Sequence, residues 1–186
     1  MNLILAINGA TGAHAAERLI RKSPWPVTLV ASDWGKSVFE RECGNFQHLA
    51  SLAAKVYEDA DLAAAISSGS VPTAGMVVLP CSSNTLAKIG QGISDTLITR
   101  AAHCHLKERR RLVLCVRETP WSLIDLNNAV SVSAAGGIIM PLSPPFYQMS
   151  GRDPAEVNMT ELMDCFVDRV LAVLGHPAAV NWESIQ

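Results

Sequence analysis

Short, almost continuous apolar runs recur along the chain, separated by segments in which apolar residues return every three or four positions. The runs at residues 2–8, 26–31 (PVTLVA), 75–79 (GMVVL), 112–116 (LVLCV) and 137–140 (GIIM) are too short and too uniformly apolar for amphipathic helices. They read as five buried strands. Helices are expected over 13–21, through Val38 and Glu42, and over 61–66, 85–89, 95–106 and 122–135, with a long closing helix over 155–174. Buried strands alternating with helices predict one α/β domain over residues 1–186, a Rossmann- or flavodoxin-like parallel sheet in three layers. In such sheets ligands bind beyond the carboxyl ends of the strands, so the loops there are where function is sought.

Those loops carry distinctive chemistry. The first is Asn8-Gly9-Ala10-Thr11-Gly12, in which two glycines let the backbone approach an anion and Thr11 offers a hydroxyl at a helix entry. It is not GxGxxG, so a mononucleotide is better supported than a dinucleotide. Ser32 follows the second strand in an N-cap position. The third loop, Pro80-Cys81-Ser82-Ser83-Asn84-Thr85, gathers hydroxyls and an amide at another helix entry. Arg117-Glu118-Thr119-Pro120 sets a cation and a carboxylate at a strand end, and residues 141–147 (PLSPPFY) form a proline-stiffened loop presenting two aromatics. Four polar loops at one sheet edge point to a phosphate-bearing ligand. Trp34 and Trp182 read as packing residues, whereas Trp121 and Phe146 are candidates for an apolar shield.

Composition narrows the class. A formal net charge of −2 gives no electrostatic reason to expect nucleic acid. No apolar run approaches the roughly eighteen residues of a membrane span. The start, MNLILAINGATG, passes from an apolar run directly into a glycine turn and reads as a first strand, not a signal peptide. Five cysteines without CxxC spacing suggest reduced thiols in a cytoplasm. Neighbouring side chains in His103-Cys104-His105 diverge on a helix, so no metal is expected there.

The strings GATGA, SSGS, LPCSSNTLAKI, RAAHCHLKERRRLVLCVRETP and PPFY, in order from about Leu3 to Gly175, strongly resemble the flavin prenyltransferases. The resemblance implies a Rossmann-like subunit that assembles into a dodecamer with FMN at subunit contacts. It implies FMN binding by Gly9, Ala10, Thr11, Ser32, Ser82, Ser83, Asn84, Thr85 and Arg117. It implies that Tyr147 and Arg169, with Lys107 and Arg100, meet the phosphate of dimethylallyl phosphate. Glu42 and Glu118 complete the acid–base set, and some of these residues serve a neighbouring subunit's site. The implied product is prenylated FMN, made without metal for a client decarboxylase. The chain departs from the family pattern at Thr11, where serine is usual, at Gln148, where histidine is usual, and in a longer 148–157 segment.

Two other readings stand beside this one. The SNTLAKI and GQGISDTL strings echo FMN-dependent decarboxylases of peptidyl or pantothenoyl cysteine, although the histidine context and substrate clamp of those enzymes are missing. A non-catalytic FMN-binding relative is the other.

Overall fold

The structure, a computed structural model, describes residues 1–177. Six parallel strands form one sheet: β1 (Asn2–Ile7), β2 (Val27–Ala31), β3 (Lys55–Glu58), β4 (Thr73–Cys81), β5 (Leu112–Val116) and β6 (Ile138–Ile139), in the order 3-2-1-4-5-6. This is the Rossmann order, which reverses between β1 and β4. The helices are α1 (His14–Lys22), α2 (Asp33–Cys43), α3 (Phe46–Leu52), α4 (Ser83–Gly90), α5 (Leu97–Lys107), α6 (Leu123–Ala134) and α7 (Met159–Val173).

Strand alternation divides the core in two. Leu3, Leu5, Ile7, Leu29, Val77 and Val113 pack against residues of α1, α2, α3 and α7, among them Leu19, Phe39, Phe46 and Phe166. Ile4, Ala6, Val30, Met76, Val78 and Leu114 face residues of α4, α5 and α6, including Leu86, Ala101 and Val132. Covering both faces is what makes these strands continuously apolar. The expected three-layer architecture is therefore present.

Four expectations need correction. β3 was not foreseen, because its KVYE sequence carries charges at both ends and only Tyr57 is half-buried. α3 was also missed; it buries just Phe46 and Leu49. The helix expected over 61–66 is instead a turn, where the Asp61 carboxylate accepts the Ala63 N–H, leading to a 3-10 turn at Ala65–Ser67. The closing helix starts later than expected, at Met159, where Asn158 and Glu161 form a capping box. Trp182, and the tail of about residues 176–186 expected at subunit contacts, lie outside the described residues from 178 onward.

α2 sits tightly over the end of β1: a Cβ on Gly35 would lie 2.5 Å from the Ile7 carbonyl oxygen. Gly35→Ala is expected to destabilise the fold by about 1–3 kcal/mol, read as a lower denaturant midpoint at unchanged slope.

His105 is buried between α5 and β4, its Nδ1 2.7 Å from the Ala101 carbonyl oxygen and its Nε2 2.8 Å from Thr73 Oγ1. Burial, reinforced by the Arg110 charge and opposed by the Ala101 bond, holds its pKa below the ordinary histidine value of about 6.5. The unfolded chain then binds the proton first, so this contribution to stability is complete above about pH 6.5 and is lost as pH falls towards the folded pKa. Unfolding free energies measured from pH 7.5 to 5 are expected to decline, with a shallower slope in His105→Gln.

Candidate functional site

The reversal of strand order separates the loops that follow β1 and β4 and opens a cleft of about 330 Å³ at the carboxyl edge. Asn8, which ends the β1 run and is only 4% exposed, spans the divide. Its Oδ1 accepts the Ser82 N–H at 2.7 Å, while its Nδ2 has no oxygen acceptor among the described residues.

Three helices aim their N-termini at this cleft. Ser32 caps α2 by accepting the Gly35 N–H at 3.0 Å, Ser82 caps α4 through the Thr85 N–H at 3.3 Å, and Thr96 caps α5 through the Thr99 N–H at 3.4 Å. All three caps line the cleft. Their hydroxyls lie where three helix dipoles present their positive ends, a setting that favours an anion. Asp59, just beyond β3, holds α5 in place by accepting the Leu97 N–H through its carbonyl and the Ile98 N–H through its carboxylate. Lys88 adds a cation, paired at 2.7 Å with Asp95, whose carboxyl it holds below the usual range.

Of the expected FMN-binding residues, Gly9, Ser32, Ser82, Asn84 and Thr85 meet on the cleft wall. Ala10 and Thr11 stand on the adjoining turn outside it. Beyond them Gly12, at φ +98°, bends the chain into α1, and any side chain there would run into Leu142. The amides of this entry are taken by the chain itself: Glu42 Oε2 accepts the Gly12 N–H at 2.9 Å and the Ala13 N–H at 2.8 Å. The two amides just past Gly9, Ala10 and Thr11 are thus taken by Glu42 from the end of α2.

Arg117 and Glu118 follow β5 on the same edge, and the Arg117 N–H donates to the Cys81 carbonyl at 2.9 Å. Ser83 faces away from the cleft and donates to Glu118. Tyr147 is half-buried in the 3-10 turn Phe146–Met149. Trp121 is half-buried, with its indole N–H on the Glu118 carbonyl, and Phe146 is exposed.

The remaining cations stand elsewhere. α5 runs from the cleft towards the amino edge, and Lys107 at its far end, roughly 15 Å along the axis, pairs with Glu108. Arg100 donates to the Ser67 carbonyl at 3.0 Å. α7 runs alongside α1 in the same direction, stapled by Arg18–Asp164 and Lys22–Asp168 pairs. Arg169, near its end, is exposed and has no hydrogen bond or ion pair among the described residues. One subunit therefore gathers the polar loops at its cleft but not Lys107 or Arg169.

Sequence reasoning missed Asn8, Lys88, Asp59 and Thr96. Asn8 carried a signal, a polar residue closing an apolar strand, but Asp59 depended on the unforeseen β3. Trp34 is not a packing residue: it is 72% exposed and lines the cleft.

A model of the Flavoprotein family matches residues 1–171. The flavin prenyltransferase UbiX of Thermoplasma acidophilum is 43% identical over 177 residues, 94% of this chain and 95% of the relative. The structure of AnUbiX (PadA1) in complex with FMN and dimethylallyl pyrophosphate has a TM-score of 0.90 at 37% identity, covering 97% of this chain and 96% of that one. A dodecameric FMN-dependent UbiX-like decarboxylase from Escherichia coli O157:H7 has a TM-score of 0.88 at 38% identity, covering 97% and 98%. With likeness of this depth over nearly its whole length, the chain belongs to the Flavoprotein family and, within it, to the flavin prenyltransferases.

Proposed function

We propose that this protein joins the dimethylallyl group of dimethylallyl phosphate to reduced FMN, giving prenylated FMN as the cofactor of a partner decarboxylase. The observation that carries the reading is the cleft where three capped helix N-termini converge on the open Asn8 amide, in a chain 43% identical to a flavin prenyltransferase. These residues suit the FMN phosphate: hydroxyls of Ser32, Ser82 and Thr85 and the amides of α2 and α4 are donors for a dianion. Gly9 and Asn84 border the same space, with Ala10, Thr11 and Arg117 beside it.

Reduced FMN supplies the electron-rich N5 that takes the allyl group. The chain's own residues do the rest. Tyr147, Arg169, Lys107 and Arg100 stabilise the departing phosphate, replacing a metal as the source of positive charge. Arg169 and Lys107 stand far from their own cleft, so they act at a neighbouring subunit's site. Glu118, on the carboxyl edge, moves the proton that ring closure requires, with Glu42 as the second carboxylate. Trp121 and Phe146 keep water from the allyl fragment.

A shared site requires an assembly. The proposed dodecamer is supported by the E. coli relative and by the apolar residues that α6 leaves open, Leu123, Ile124 and Val130. The proposal takes residues 1–186 as one flavoprotein domain working in the cytoplasm. Among the described residues no helix is long and apolar enough to cross a membrane.

Anaerobic incubation with reduced FMN and dimethylallyl phosphate, or its pyrophosphate in a parallel arm, is expected to yield a flavin heavier by one dimethylallyl unit on mass analysis. Recovery of unmodified FMN in both arms contradicts the proposal. Turnover is expected to survive EDTA; loss restored by magnesium would show that the cations do not suffice. Arg169→Ala and Tyr147→Phe are expected to retain FMN but to weaken use of dimethylallyl phosphate by about 1.5–3 kcal/mol. Arg117→Ala is expected to lower both flavin content, read by absorbance, and turnover.

A further inference from the structure

The hydroxyl loop after β4 divides its side chains by direction. Ser82, Asn84 and Thr85 face the cleft, and Ser83 does not. Its Oγ donates to Glu118 Oε2 at 3.1 Å, while Glu118 Oε1 accepts the Thr119 N–H at 3.1 Å. The Glu118 carbonyl accepts the Trp121 indole N–H at 2.9 Å. Glu118 is exposed, and a free glutamate at a surface samples several rotamers. Here both carboxylate oxygens and the residue's own carbonyl are tied to different neighbours.

The Ser83 hydroxyl also lies within reach of Asp125, in the first turn of α6, and after Ser122 it helps hold that carboxyl below the usual range. That carboxylate is already engaged by the Ser122 N–H at 2.9 Å and the Ser122 hydroxyl at 2.6 Å. Ser122 is thus the main partner of Asp125, and the Ser83 hydroxyl donates to Glu118 at 3.1 Å.

We infer that Ser83 is a positioning residue, which holds the Glu118 carboxylate in one orientation at the carboxyl edge and makes no contact with the flavin phosphate. The inference rests on the prenyl-transfer reading and assigns a role within it. It also reinterprets the hydroxyl loop: neighbouring serines at the N-terminus of α4 serve different ends, Ser82 the helix and the cleft, Ser83 the proton-transfer group. The Ser83 bond spans from β4 to β5, so the orientation of Glu118 depends on the relative placement of those two strand ends.

A carboxylate that has lost one tether still binds and releases protons but spends less time aligned with the reacting atom, which lowers turnover without altering affinity. The test compares wild type, Ser83→Ala and Ser83→Thr in the assembled protein. Flavin affinity is measured by titration, melting temperature by circular dichroism, and kcat and KM for dimethylallyl phosphate by mass-analysed turnover. Ser83→Ala is expected to lower kcat by about 5- to 100-fold. FMN affinity, KM and melting temperature are expected to stay near wild type, and Ser83→Thr, which keeps the hydroxyl, to recover most of the loss. Unchanged kcat in Ser83→Ala overturns the inference. Weakened FMN binding with unchanged kcat also overturns it, by making Ser83 a flavin contact. An inactive wild type contradicts the prenyl-transfer reading itself, a result separate from either of these.

Discussion

The hydrogen bond from the Ser82 N–H to Asn8 Oδ1 is the hinge of the architecture. It lies where the sheet reverses direction, so the loops after β1 and β4 diverge and leave a crevice between them. A buried side chain that crosses this divide fixes the distance between the loops, and with it the spacing of the helix N-termini on either side. Water cannot readily replace a bond at 4% exposure, so losing it would leave the Ser82 amide unpaired at about 1–3 kcal/mol. The Nδ2 hydrogens of the same residue have no oxygen acceptor among the described residues, an arrangement that makes sense beside a ligand rich in acceptor oxygens.

A second carboxylate device complements this hinge. Glu42 reaches from the end of α2 to the orphan amides of Gly12 and Ala13, joining positions thirty residues apart in sequence. Helix N-termini are the natural anion sites of the fold, and here one of them is closed by the protein's own charge while α2, α4 and α5 remain available. That division leaves Ser32, Ser82 and Thr96 as the helix caps that line the cleft. In the proposed reaction Lys107 and Arg169, which stand on distant parts of the subunit, serve a neighbouring site and so couple chemistry to assembly.

Much of this was legible in the sequence because the physics was local. Leu3 to Ile7 and Leu112 to Val116 are apolar throughout because both sheet faces are covered, and the loops that follow them were recognised by their hydroxyls and charges. What was lost was non-local or weakly patterned. β3 is a charged edge strand, and without it the part Asp59 plays in holding α5 had no basis. Trp34 looked like packing because tryptophans usually are, but its position at N2 of α2 turns it outward to the cleft. The pairings of Glu42 with Gly12 and of Ser83 with Glu118 depend on how strand ends are juxtaposed, which no spacing along one chain reveals. For Lys107 and Arg169, motif resemblance named the residues, but only the helix directions place them away from their own subunit's cleft.

The central claim is that the crevice at the β1/β4 reversal, and not the glycine turn, receives the flavin phosphate. An experimental structure of the assembled protein with FMN bound tests it most directly. The account predicts the phosphate among Ser32, Ser82 and Thr85, with Glu42 still on the Gly12 and Ala13 amides. A phosphate seated on those two amides with Glu42 displaced, or one lying beside the segment from Phe146 to Leu162, would contradict it.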